Sequence, residues 1–176
     1  PTNVYADVWD EEVSLFWTSP DVNNLGVPYT ESFDEGGLLD LWLVDGGDNW
    51  LYDEATGNPA PSMIFNWSPS VTDYSQSLYA PVLPLGDLTT VTVSFDYELN
   101  IWSPSGAEFF SIEYKSGTDA DWSVLEVFDN AGESFDFTNY SYDLTGLSGS
   151  LFFRFHAYGA NSFDLNWHRV DNFSVT

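Results

Sequence analysis

"VTVSFDYELNI", residues 91–101, alternates without a break. Val91, Val93, Phe95, Tyr97, Leu99 and Ile101 share one parity, and Thr92, Ser94, Asp96, Glu98 and Asn100 share the other. A β-strand sends successive side chains to opposite faces, so this stretch predicts a strand with one buried and one wet face. The same period returns on both sides of it, in short runs bounded by Gly, Pro, Asn, Asp and Ser. "FFSIEY" groups Phe110, Ile112 and Tyr114 on an inner face. "SLFFRFHAYG" puts Leu151, Phe153, Phe155 and Ala157 on one side and Phe152, Arg154, His156 and Tyr158 on the other. "WSVLEVF" is a further strand with weaker alternation. The helical period is almost absent. Many half-buried strands separated by turn residues predict an all-β fold, an antiparallel two-sheet β-sandwich.

Composition narrows the function. The chain has 176 residues, 28 of them acidic against three Lys and Arg, for a formal net charge of −25. Such a surface repels nucleic acid and anionic membranes. It also repels itself, which high salt or bound divalent cations would offset. The absence of cysteine excludes disulfides, thiolate metal sites and a cysteine nucleophile. No apolar run is long enough to insert in a membrane.

The region from about Leu38 to Val82 reads differently. "VDGGDNW", "TGNPAPS" and "SPSVTDYSQS" suggest long loops with one or two short strands between them. Residues 1–28 suggest two short strands around "DEE", resembling a leftover fibronectin type III hairpin that ends in Trp17, Thr18, Ser19 and Pro20. They would precede a domain spanning 29–176. The closing stretch, "FDLNWHRVDNFSVT", poses a question. Phe163, Leu165, Trp167, Phe173 and Val175 share one parity and would be buried, yet Arg169 and Asp171 interrupt that stripe. A metal site at Asp171 would explain the carboxylate. A β-bulge at Val170 that turns Asp171 outward is the alternative.

Five motifs occur in order: "SFDEGG" (Phe33, Asp34, Glu35, Gly36), "VDGGDNW", "SLYAPVL" (Ser77 to Leu83), "VSFDY" (Val93 to Tyr97) and "VDNF" (Val170 to Phe173). Together they resemble the cleaved-adhesin or choice-of-anchor jelly rolls of secreted bacterial proteins, which are similar in turn to animal MAM domains. The resemblance covers about four-fifths of the chain. It implies a jelly roll whose first and last strands are neighbours. It also implies a calcium ion shared by Asp34 or Glu35 with Asp171, completed by backbone carbonyls and water. Asp34 departs from the pattern, where Glu is usual. Asp45 and Asp48 are candidates for a second cation, with an ordinary turn as the alternative.

These features point to a non-catalytic accessory or adhesion module of a larger secreted or cell-surface protein. Its partner would be a polysaccharide or cell-surface glycan. Trp102, Trp50 and Trp67 are candidate sugar-stacking residues. Asp96, Glu98, Arg154, His156 and Tyr158 would supply hydrogen bonds if they line one concave sheet face. A structural spacer or a protein-adhesion module is the second reading. A polysaccharide lyase or hydrolase using Arg154, His156 and Tyr158 is the third, and no serine-hydrolase elbow supports it.

Overall fold

The computed structural model describes residues 25–34, 41–119 and 121–176, and the backbone of 2–9 and 12–18. Strand β1 (Thr2–Trp9) pairs antiparallel with β2 (Glu12–Thr18) in a hairpin. The strands that follow are β3 (Tyr29–Glu31), β4 (Leu43–Asp45), β5 (Trp50–Asp53), β6 (Ser62–Asn66), β7 (Thr72–Tyr79) and β8 (Leu83–Pro84). Next come β9 (Thr90–Ile101), β10 (Glu108–Ser116), β11 (Ser123–Asp129), β12 (Phe135–Thr145), β13 (Ser150–Asn161) and β14 (Leu165–Val175). One six-stranded sheet runs β11-β10-β13-β7-β4, with β8 also on β13. The other runs β12-β9-β14-β6-β5, with β3 also on β14. Every pairing is antiparallel, and the two sheets form the expected sandwich. The first and last strands of the jelly roll, β3 and β14, are neighbours, as the resemblance implied.

The alternation in β9 translates directly into burial. Val91, Val93, Phe95, Tyr97 and Leu99 are all in the core, as are Phe110, Ile112, Leu151, Phe153, Phe155 and Ala157 from the facing sheet. The core is aromatic. Phe95 meets Phe155 edge-on at 5.0 Å, and Tyr97 stacks on Phe110 at 4.6 Å. Offset and edge-to-face geometries such as these add to plain area burial. His168 is buried among them, and its Nδ1 is hydrogen-bonded with the Tyr97 hydroxyl at 2.8 Å. Burial pushes its imidazole down to about 3, so it stays neutral.

Two expectations are corrected. The region 38–82 holds four strands rather than one or two: β4 to β7 all lie in it, and β7 is eight residues long. The inner residues of β7, Tyr74, Gln76 and Leu78, are buried, but the polar Gln76 among them and the Ser and Asp beside them mask the alternation. The closing strand does not keep one parity. Its pairing with β9 slips between Leu165 and Trp167 and again between Asp171 and Ser174. Leu165, His168, Val170, Phe173 and Val175 face inward, while Trp167, Arg169 and Asp171 face outward. Trp167 is therefore half-buried on the outer face rather than in the core. The second slip turns on Asn172, whose φ is +48°. Asn tolerates this left-handed conformation better than branched or bulky residues.

Asn172 also binds three partners: its Nδ2 donates to Asp96 Oδ2 (2.8 Å) and to the Asn58 carbonyl (2.5 Å), and its N–H donates to Asp171 Oδ1 (2.7 Å). Asn172→Ala is expected to lower stability by about 2 kcal/mol, from left-handed strain plus the lost side-chain bonds. Asn172→Gly removes only the bonds and should cost about half as much. Urea denaturation of both variants checks this. Equal losses would mean that the backbone conformation contributes nothing.

Candidate functional site

The neighbouring β3 and β14 bring acids together at one corner of the sandwich. Asp171 has no solvent exposure. Its Oδ2 accepts the Asn58 N–H at 2.6 Å, from the loop that follows β5. Directly across the ladder is Asp96, which accepts Nδ2 groups from Asn58, Asn139 and Asn172. Asp34 and the buried Glu31 line an adjoining cleft of about 380 Å³ together with Asn172. Burial, with the nearby Asp96 and Asp34 charges, outweighs the two backbone hydrogen bonds and pushes the Asp171 carboxyl up to about 6. Burial also raises the Glu31 carboxyl. None of these four acids forms a salt bridge among the described residues. As placed, no three Asp, Glu or His side chains there form a ready cage for an ion. Asp34 is exposed and accepts from Ser32 Oγ at 2.8 Å, and Glu35 lies outside the described residues.

Asp45 and Asp48 are both exposed. The turn between them is held instead by buried Asn49, which donates to the Asn66 and Pro69 carbonyls and exchanges bonds with the Gln76 amide.

The expected single binding face divides in two. Asp96 and Glu98 are on β9, whereas Arg154, His156 and Tyr158 are on β13 of the other sheet. Each strand buries its odd-numbered residues between the sheets, so the even-numbered ones point to opposite outer surfaces. Trp50 is likewise corrected. It is 4% exposed and packs against Phe65 and Phe110 in the core, because β5 is a strand and not a loop.

Trp67 and Trp102 do converge. Trp102 is 65% exposed, Trp67 36% and Phe163 46%. With Leu165 and Asn166 they line a mostly apolar cleft of about 260 Å³ at the end of the sandwich. Phe163 meets Trp67 edge-on at 5.3 Å. The backbones beneath are fastened. Trp102 and Ser103 N–H both donate to the Asp164 carbonyl (3.0 and 2.9 Å), and Ser162 Oγ donates to the Trp67 carbonyl (2.9 Å). A short 3-10 turn, Ser162–Asp164, carries Phe163 outward, and the Asn161 side chain caps it. Polar groups border the aromatics. Asn166 Nδ2 donates to Asn100 Oδ1 (2.6 Å), and Arg169 lies over the Trp167 ring at 4.2 Å while bonding Glu98 and Asp53. Phe163 escaped the sequence reading because its parity places it with the core. The Asn–Ser before it is the turn signal that separates it from the strand.

On the opposite surface, Arg154 and His156 both bind Glu113: Arg154 Nε donates to Oε2 at 2.7 Å, and His156 Nδ1 lies 3.1 Å from Oε1. Burial would raise the Glu113 carboxyl. Hydrogen bonds from His156, Ser111 and Arg154, and the Arg154 charge, outweigh it and hold the group at about 2. The Arg154 guanidinium also lies 4.4 Å from the Trp122 ring.

No protein-family model matches the sequence, and no curated protein matches it. Solved structures do. The chain is similar to the K1 cleaved adhesin domain of Lys-gingipain from Porphyromonas gingivalis W83, with a TM-score of 0.62 and 15% identity over 86% of this chain and 98% of that one. The K2 domain of Lys-gingipain aligns with a TM-score of 0.57 and 17% identity, covering 85% and 98%. The K3 domain from the same organism aligns with a TM-score of 0.56 and 16% identity, covering 84% and 97%. At such identities the likeness concerns the fold. In fold, this chain is a cleaved-adhesin-like domain.

Proposed function

We propose that this domain is an adhesion module that binds carbohydrate through the Trp67–Trp102–Phe163 platform without cleaving it. The supporting observation is the platform itself: three exposed aromatics on backbones that are fastened to one another. Sugar rings present apolar C–H faces that stack on such rings. Asn166 lines the same cleft, with its partner Asn100 beside it, to meet hydroxyl groups. The fold likeness to cleaved adhesin domains favours a partner-binding module carried on a larger extracellular chain.

Calcium belongs to the same reading. The donor set at the corner is all oxygen, which suits a hard dication. An ion would draw Asp34 from Ser32 toward Asp171 and neutralise the Glu31, Asp96 and Asp171 charges that repel one another. Its role is to brace the β3–β14 junction and the Asn58 loop, away from the glycan platform.

The test is binding to a panel of polysaccharides in calcium buffer, by affinity electrophoresis or calorimetry. One polymer class should be retained. Trp102→Ala and Trp67→Ala should each weaken binding about 10-fold, the equivalent of one good aromatic contact. Binding unchanged in both variants, or retention of no polymer, would replace this reading with a protein-adhesion or spacer role. Release of reducing ends or unsaturated products would overturn binding without cleavage.

A further inference from the structure

The outer face of the β13 sheet holds an arrangement that the adhesion reading does not use. Ser75 on β7 and His156 on β13 are diagonal neighbours on that face, since Ser75 pairs with Tyr158 and His156 with Ser77. Ser75 Oγ lies 2.8 Å from His156 Nε2. The other ring nitrogen, Nδ1, lies 3.1 Å from Glu113 Oε1. Accessibility falls along the line: Ser75 is exposed, His156 is half-buried and Glu113 is buried. Glu113 is fixed further by Arg154 and Ser111. A charged carboxylate at Nδ1 keeps the proton there and leaves the Nε2 lone pair facing the serine hydroxyl. Nucleophile, base and orienting acid thus stand in the order and at the spacing of an activated serine.

We propose that Ser75, His156 and Glu113 form a relay that makes Ser75 a nucleophile toward small acyl esters. In the step, Ser75 Oγ bonds to the acyl carbon and the ester C–O bond breaks. The serine proton passes to His156 Nε2 and then to the departing alcohol. Water, deprotonated by His156, then releases the acid and restores Ser75. The Tyr158 ring, 4.7 Å from the imidazole and stacked on Phe109 at 5.3 Å, offers an apolar wall for the acyl or leaving group. β10 and β13 are paired on both edges, which occupies their backbone donors, so an anionic intermediate meets little preorganised stabilisation. Esters with good leaving groups are the substrate class that such a site serves, and turnover is slow.

The experiment uses p-nitrophenyl acetate with the whole chain, following nitrophenolate release and mapping acetylated peptides by mass spectrometry. The expected result is one acetyl group per chain, on Ser75, with a burst of nitrophenolate. Ser75→Ala should abolish the burst. His156→Gln should slow it about 100-fold, the scale of a lost general base. Ser75→Ala changes an exposed hydroxyl, and unchanged near-ultraviolet circular dichroism will confirm that each variant folds. Glu113→Gln should slow acetylation at least 10-fold, and a fluorophosphonate probe, in which the same oxygen bonds to phosphorus and expels fluoride, should follow the same order of variants. Acetylation at other residues, a burst that survives Ser75→Ala, or a rate that His156→Gln leaves unchanged would overturn the proposal. None of these readouts involves glycan, so they are independent of the adhesion test.

Discussion

Calcium-free protein should become more stable as the pH falls from 7 towards 4, and added calcium should abolish or reverse that trend. The sign follows from Asp171. Its carboxyl moves from an ordinary value of 3.8 up to about 6 in the folded protein. Between those values the folded state holds a proton that the unfolded chain has lost. That contribution is fully present below about pH 4 and disappears as the pH rises through 6. Glu31 and Glu108, both raised by burial, act in the same direction. Glu113, held at about 2, acts in the opposite sense: it stabilises above the usual carboxylate range and is lost only in stronger acid. A shift of this size at Asp171 corresponds to about 3 kcal/mol. For a domain of this length that is about 6–12 °C in Tm.

Calcium at the same corner would hold Asp171 ionised, so protonation would then expel the ion and cost stability. At a concentration about 1,000 times its Kd, the ion would add about 4 kcal/mol. Thermal melts in EDTA and in calcium, from pH 4 to pH 7, measure both effects. Parallel curves would remove calcium from this site. Asp171→Asn separates this carboxylate from general repulsion among the acids, because it should flatten the slope without changing the rest of the surface.

Phe155→Ala is expected to lose about 4 kcal/mol, a large share of the stability of an ordinary domain. Phe155 is wholly buried at the centre of the sandwich. Its ring lies 5.0 Å from Phe95, 5.3 Å from Phe153 and 5.9 Å from Phe110, with Trp42 and Phe173 beyond. Rings from both sheets therefore border the cavity that the substitution leaves, and rigid aromatics collapse into it poorly. Phe155→Leu keeps much of the volume and should cost about half as much. Denaturant midpoints for the two variants test this, and a loss below about 1.5 kcal/mol for Phe155→Ala would show that the core closes around the gap.

The readable parts of the sequence were those where one face is apolar over many residues. β9 and β13 could be read residue by residue, and so could the inner residues of β10. β7 could not, because Gln76 is buried through its exchange with Asn49 and a polar residue at an inner position hides the period. β12 was missed because an irregularity near Phe135 breaks its alternation. The candidate site was partly legible. Trp67 and Trp102 were singled out as aromatics, but they lie 35 positions apart in the chain. Only the sheet order and the turn at Ser162–Asp164 bring them to Phe163.

Composition and period by themselves determined the fold class, the lack of any cysteine chemistry and the acidic surface, while the neighbouring ends followed only from the family resemblance carried by "SFDEGG" and "VDNF". Tertiary structure alone decided which outer face each polar residue occupies, because Asp96 and Arg154 have equivalent alternation but belong to opposing sheets. It also decided the direction of Asp171, because a single left-handed residue at Asn172 resets the parity of the last strand. Side-chain period is a local property of the chain. The pairing of strands, the slips in their register and the meeting of Ser75, His156 and Glu113 depend on contacts between distant segments, which no local pattern encodes.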